Sequence, residues 1–84
     1  MQKTFSDNAW DDYTYWAQHD RKVLKRINDL IKDIDRNPFE GIGKPEPLKH
    51  QLQGFWSRRI DDRHRLVYAV NGDTILIAQC RDHY

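Results

Sequence analysis

Apolar residues recur along this chain at two different periods, and the change of period divides it. Trp10, Tyr13 and Ala17 stand three and four apart, with Trp16 widening the stripe. That spacing predicts an amphipathic helix with Asp11, Asp12 and Gln18 looking outward. Ser6 is a good N-cap for it, and Asp7 suits the positive end of the helix dipole. The preceding Lys3-Thr4-Phe5 can start as a short strand. Asp20 stops this helix and caps a second, in which Val23, Ile27, Leu30, Ile31 and Ile34 form a clean apolar stripe as far as Asn37-Pro38. The outer face of that helix, with Lys22, Lys25, Arg26, Asp29, Lys32 and Asp33, has the composition of a solvated surface. The short connection makes the two helices an antiparallel pair.

From Asn37 to Pro47 the residues Pro38, Gly41, Gly43, Pro45 and Pro47 exclude a regular element and predict a shaped connection. Glu46, between two prolines, stands on backbone stiff enough to aim its side chain. Beyond it the period becomes two, and three strands are predicted: Gly54 to Ile60, Arg63 to Val70 and Thr74 to Arg81. Asn71-Gly72 predicts a type I′ hairpin between the last two. In that register Leu66, Tyr68, Val70, Ile75 and Ile77 share one face, assigned here to the helices. The expected fold is a single α+β domain over residues 1–84, with two N-terminal helices packed on one face of a mainly antiparallel sheet.

Two registers stay open. Arg59 shares a face with Arg65 only if the connection at residues 61–63 has three residues rather than two. Strict alternation also puts His83 on the Ile75 and Ile77 side, opposite Arg65, unless a bulge intervenes or the tail leaves the strand after Cys80.

Composition narrows the function. An 84-residue chain with 38% hydrophobic and 32% charged residues is a folded domain, not a disordered tract. No apolar run approaches the roughly 20 residues that span a bilayer, and no signal-type N-terminus is present, so no membrane and a cytoplasmic location are expected. Cys80 has no cysteine partner, which agrees with a reducing compartment and a role as a small buried hydrophobe. The net charge of +1 argues against a generic, strongly basic nucleic-acid binder. Its distribution is uneven: residues 1–20 hold Lys3 against four aspartates, so the other 13 of 14 cations face 9 of 13 carboxylates later in the chain. An anionic ligand belongs to the later part.

Arg58, Arg59, Arg63 and Arg65 fall inside two β-prone runs, where a sheet can hold cations in place. Cleaving RNA without a metal needs a base for the 2′-hydroxyl, cations for the phosphorane and an acid for the departing 5′-oxygen. Glu46 is the candidate base. Arg65, with Arg59 and Lys49, is the candidate phosphate and transition-state contact. His83 is the candidate acid, and Tyr84 can stack on a base or hold the leaving group. Glu46 can equally pair with Lys44 or Lys49, which would make it a poorer base. His50 and His64 lack metal-ligand spacing with Cys80, and no glycine-rich phosphate loop or paired-carboxylate site occurs, so neither metal nor cofactor is expected.

The runs Gly43-Lys44-Pro45-Glu46-Pro47-Leu48-Lys49-His50, Gly54-Phe55-Trp56-Ser57-Arg58-Arg59-Ile60, His64-Arg65-Leu66-Val67-Tyr68 and His83-Tyr84 resemble YoeB-type toxins of the RelE/ParE superfamily. The likeness covers almost the whole chain, including Asn37-Pro38-Phe39-Glu40-Gly41. It implies a RelE-like fold and a toxin of a type II toxin-antitoxin pair. Such a toxin enters the bacterial ribosome, cuts messenger RNA in the A site and is neutralised by a YefM-type antitoxin; a homodimer is left open. The resemblance also implies roles: Glu46 as base, Arg65 for the transition state, His83 as acid, Lys49 and Arg59 in support, and Tyr84 beside them. Asp82 departs from the aromatic that the pattern implies before the last histidine. Two other classes compete with the nuclease: a non-enzymatic toxin like the ParE-type relatives that act on gyrase, and a bare protein-interaction module.

Overall fold

The computed structural model describes residues 1–82; the two expected site residues His83 and Tyr84 lie outside the described residues. Strand β1 (Gln2–Phe5) leads into helices α1 (Asp7–His19) and α2 (Arg21–Arg36). An irregular stretch then reaches β2 (Glu46–Pro47), a 3-10 turn at His50–Leu52, and strands β3 (Trp56–Arg59), β4 (Arg65–Asn71) and β5 (Thr74–Gln79). The sheet order is β1-β5-β4-β3-β2, with β1 parallel to β5 and the other neighbours antiparallel. This is the expected α+β arrangement, both helices lying on one face.

The two helix starts form as the sequence predicts. Ser6 Oγ accepts the Ala9 amide at 3.0 Å. Asp20 Oδ1 accepts the amides of Lys22 and Val23, while the Asp20 N–H closes α1 on the Trp16 carbonyl. Ile27, Leu30, Ile31 and Ile34 of α2 are buried. Helix α1 is rotated from the expected stripe. Its buried residues are Ala9 and Trp16, Ala17 is exposed, and Trp10 keeps 54% of its surface. Trp16 goes in because its indole N–H has a partner there, the Cys80 carbonyl at 2.8 Å. Trp10 instead stacks on Tyr13 over the edge of Phe5. Asp12 is likewise not outward: its carboxylate accepts the Cys80 amide.

The strands are shorter than predicted, and the proline-rich connection does contain a regular element, the two-residue β2. As the edge strand it tolerates the missing N–H of Pro47. The last hairpin differs by one residue. Asn71 pairs with Thr74, the loop is Gly72-Asp73, and only Gly72 has positive φ (59°), which is the φ signature of a type II′ turn, not a type I′ turn on Asn71-Gly72. Tyr68 faces Ile77 and Val70 faces Ile75, so Leu66, Tyr68, Ile75 and Ile77 bury together under the helices. Val67 then pairs with Gln79, leaving Ala78 as a bulge. The extra residue reverses the alternation and sends Cys80 into the core at 0% exposure, where strict alternation would have put Gln79.

Of the four arginines in the β-prone runs, Arg58 is the one that turns to the core. It lies opposite Leu66 on the helix side and is fully buried. Its guanidinium bonds Asp33 Oδ2 at 2.6 Å, the Tyr68 hydroxyl at 3.1 Å, and the carbonyls of Asn37, Glu40 and Ile42 at 2.7, 3.0 and 3.2 Å. A buried charge persists only with such pairing. Asp33 is therefore not part of a solvated helix face; the hydrogen bond from Arg58 holds its carboxyl below the ordinary value. This node ties residues 37–42 to α2 and delivers the chain to β2. A Cβ on Gly41 would overlap the Asp33 carboxylate, and one on Gly43 (φ 80°) would come within 2.8 Å of Leu30 Cδ2.

Candidate active site

Face assignment follows from register. Glu46 faces Ser57, Ser57 faces Val67, and Arg59 faces Arg65. Directly paired residues project to the same side, so Glu46, Ser57, Arg59 and Arg65 all stand on the face turned away from the helices. There they line a cleft of about 310 Å³ together with Lys44 and Pro45.

The connection from β3 to β4 decides this. Ile60 N–H bonds the His64 carbonyl at 3.0 Å, which closes a three-residue turn over 61–63. Asp61 Oδ1 accepts the amides of Arg63 (2.9 Å) and His64 (2.7 Å), shaping the turn without glycine. Burial works to raise the Asp61 carboxyl, yet those two amides hold it below its ordinary value. The Arg65 guanidinium is tethered by the carbonyls of Asp61 (3.1 Å) and His64 (3.3 Å). On the other side Arg59 N–H bonds the Gly43 carbonyl at 2.6 Å, drawing the Lys44–Glu46 segment against β3. Arg26 of α2 donates to the Arg59 carbonyl at 3.2 Å, anchoring the end of the strand from behind.

The expected residues Glu46, Arg59 and Arg65 thus come together. Lys49 does not line the cleft; it is exposed at the N-cap of the 3-10 turn. Arg63 sits in the turn, 3.9 Å from the Asp82 carboxylate. Lys44 and Ser57 were not singled out from the sequence and do line the cleft. Ser57 stands two residues before Arg59, so strand alternation alone could have found it; Lys44, at φ 52°, has no such signal. Among the described residues no three His, Cys, Asp or Glu side chains stand together as metal ligands. Burial and the neighbouring Asp12 push the Cys80 thiol up to about 12, which leaves it protonated and a poor nucleophile. A carboxylate, two guanidiniums and a lysine around one polar concavity suit a phosphodiester anion, with the carboxylate able to take a proton from a hydroxyl beside it.

A family model for the YoeB-like toxin of bacterial type II toxin-antitoxin systems matches residues 5–84. Toxin YoeB of Escherichia coli (strain K12) is 62% identical over 84 residues, all of both chains. Among solved structures, the YoeB/ParE toxin from Agrobacterium tumefaciens superposes with a TM-score of 0.98 at 46% identity over the whole of both chains. Staphylococcus aureus chains, solved as a YoeB dimer and as a heterotetrameric YoeB-YefM toxin-antitoxin complex, each superpose with a TM-score of 0.94 at 54% identity. They cover 100% of this chain and 98% of their own. The fold is therefore that of toxins of the YoeB/ParE class. Within it, this chain belongs to the YoeB-like toxin family of bacterial type II toxin-antitoxin systems.

Proposed function

We propose that this toxin is a ribosome-dependent endoribonuclease that cuts messenger RNA in the ribosomal A site and so inhibits translation. The observation that supports this most is the shared cleft of Glu46, Arg59 and Arg65. Glu46 takes the proton of a 2′-hydroxyl, whose oxygen attacks the adjacent phosphorus. Arg59 and Arg65 offset the charge that builds up on the phosphorane, and His83 protonates the departing 5′-oxygen. The products are a 2′,3′-cyclic phosphate and a 5′-hydroxyl. Tyr84 stacks on a base or supports the leaving group, and Lys49, outside the cleft, contacts phosphate further along the strand. No metal or cofactor takes part.

A net charge of +1 gives weak attraction for free RNA, so the ribosome supplies the encounter, in the cytoplasm. Among the described residues no helix is long and apolar enough to cross a membrane. The inhibitor is a YefM-type antitoxin, the partner with which the Staphylococcus aureus relative was solved. On this reading an acidic segment of the antitoxin folds over the cationic cleft and blocks RNA. Self-association follows the dimeric relative and is checked by light scattering.

The test adds the protein to a bacterial translating extract and maps new RNA ends. Cleavage within translated codons is expected, lost with Glu46→Gln and Arg65→Ala in folded protein. Intact RNA together with inhibition of purified gyrase would replace the nuclease with the non-enzymatic ParE-like function.

A further inference from the structure

Strand β5 ends at Gln79, yet each of the three residues after it has a tertiary contact. The Cys80 carbonyl accepts from Trp16 Nε1 and the Cys80 amide donates to Asp12. The Arg81 guanidinium lies 3.6 Å from the centre of the Tyr15 ring. Asp82 is gripped from β4: its N–H donates to His64 Nδ1 at 2.7 Å, and its carbonyl accepts the Arg65 N–H at 3.0 Å. Asp82 has φ 64°, a left-handed conformation that Asp tolerates better than an aromatic residue does. The imidazole of His64, 13% exposed and edge-on to the Trp16 ring at 4.8 Å, thus directs a partly buried ring nitrogen at one backbone amide. An N–H can be accepted only by a ring nitrogen that carries no proton, so this hydrogen bond uses the Nδ1 lone pair.

We infer that His64 is a positioning residue: as an Nδ1 acceptor it seats Asp82, together with the Arg65 amide, and so fixes the residue to which His83 is joined. The inference rests on the nuclease reading of the cleft, in which His83 is the acid. Its physical basis is that the residue before His83 hydrogen-bonds the backbone of Arg65, whose side chain lines the cleft. The residue joined to the proposed acid and the strand that carries Arg65 then share one scaffold, and on the nuclease reading an error in seating Asp82 becomes an error in proton delivery.

Three variants separate this role from simple packing. His64→Asn puts an amide oxygen close to where Nδ1 stood, His64→Gln carries its amide out toward the Nε2 position, and His64→Leu keeps bulk without an acceptor. With saturating ribosomes, His64→Leu and His64→Gln should lower the single-turnover cleavage rate on the order of 10- to 100-fold, the scale of small misplacements of reacting groups. His64→Asn should recover most of the rate, and the ribosome concentration for half-maximal cleavage should stay put in all three. Amide hydrogen exchange by NMR should show Asp82 protected in wild type and His64→Asn and unprotected in the other two. Wild-type cleavage by folded His64→Leu, or equal losses in all three variants in step with their melting temperatures, would overturn the inference. Were wild type itself not to cut RNA, the nuclease reading would fall and the catalytic role with it. The exchange data would still decide whether His64 holds Asp82, and uniform exchange across the four proteins would remove that hold too.

Discussion

Arg59 and Arg65 stand directly opposite each other across β3 and β4. Because the next pair, Ile60 and His64, carries the hydrogen bond, theirs is the non-hydrogen-bonded kind, with Cα atoms about 4.5 Å apart and side chains close. Two like charges so placed destabilise the sheet, and an anion bound between them, as the proposed function requires, would offset that repulsion.

Removing one of the two cations should expose that conflict. Arg59→Gln is expected to raise stability by about 0.5 kcal/mol, the scale of a cross-strand charge pair, while lowering RNA cleavage. Urea unfolding beside the cleavage assay checks both; a loss of stability would mean the pair is not in conflict.

Asp33 carries the opposite expectation. Asp33→Ala leaves the buried Arg58 guanidinium without its carboxylate and should cost about 3 kcal/mol, at the low end for a broken buried pair because three carbonyls still accept from it. Its carboxyl is held below the ordinary 3.8, so the stability it contributes is complete above that value and is lost as pH falls through the lower, folded-state value. Melting temperatures of wild type and Asp33→Asn should therefore converge in acid and be furthest apart near neutrality.

Gly43 links packing to the cleft. Gly43→Ala forces a side chain into left-handed backbone against Leu30 and the Arg59 carbonyl, and should cost roughly 1–3 kcal/mol of strain. Since the Gly43 carbonyl seats the Lys44–Glu46 segment on β3, cleavage should fall further than the loss of folded protein accounts for. Comparing the cleavage rate per folded molecule with the stability change separates the two.

Cys80 should resist alkylation in the native state. Its thiol is buried with its pKa pushed up to about 12, so iodoacetamide at pH 8 meets almost no thiolate until the chain unfolds. Rapid labelling under native conditions, read by mass spectrometry, would contradict the buried placement.

Local chemistry was legible in the sequence. The caps at Ser6 and Asp20, the stripe of α2 and the alternation of Leu66, Tyr68, Ile75 and Ile77 depend on neighbours a few residues away. Sequence also brought out Glu46, Arg59 and Arg65 as chemically suited to phosphate. Whether they meet depended on counts that alternation cannot supply. A three-residue turn at 61–63 sets Arg59 beside Arg65, and a bulge at Ala78 reverses the phase of β5 before Cys80. Each is one residue that flips every side chain after it to the other face. Alternation parts Arg58 from Arg59, adjacent residues of equal charge, but only tertiary structure decides which of them is the buried one. Period two sends one outward to the cleft and the other into the core, where Asp33, 25 positions away in sequence, makes its burial tolerable.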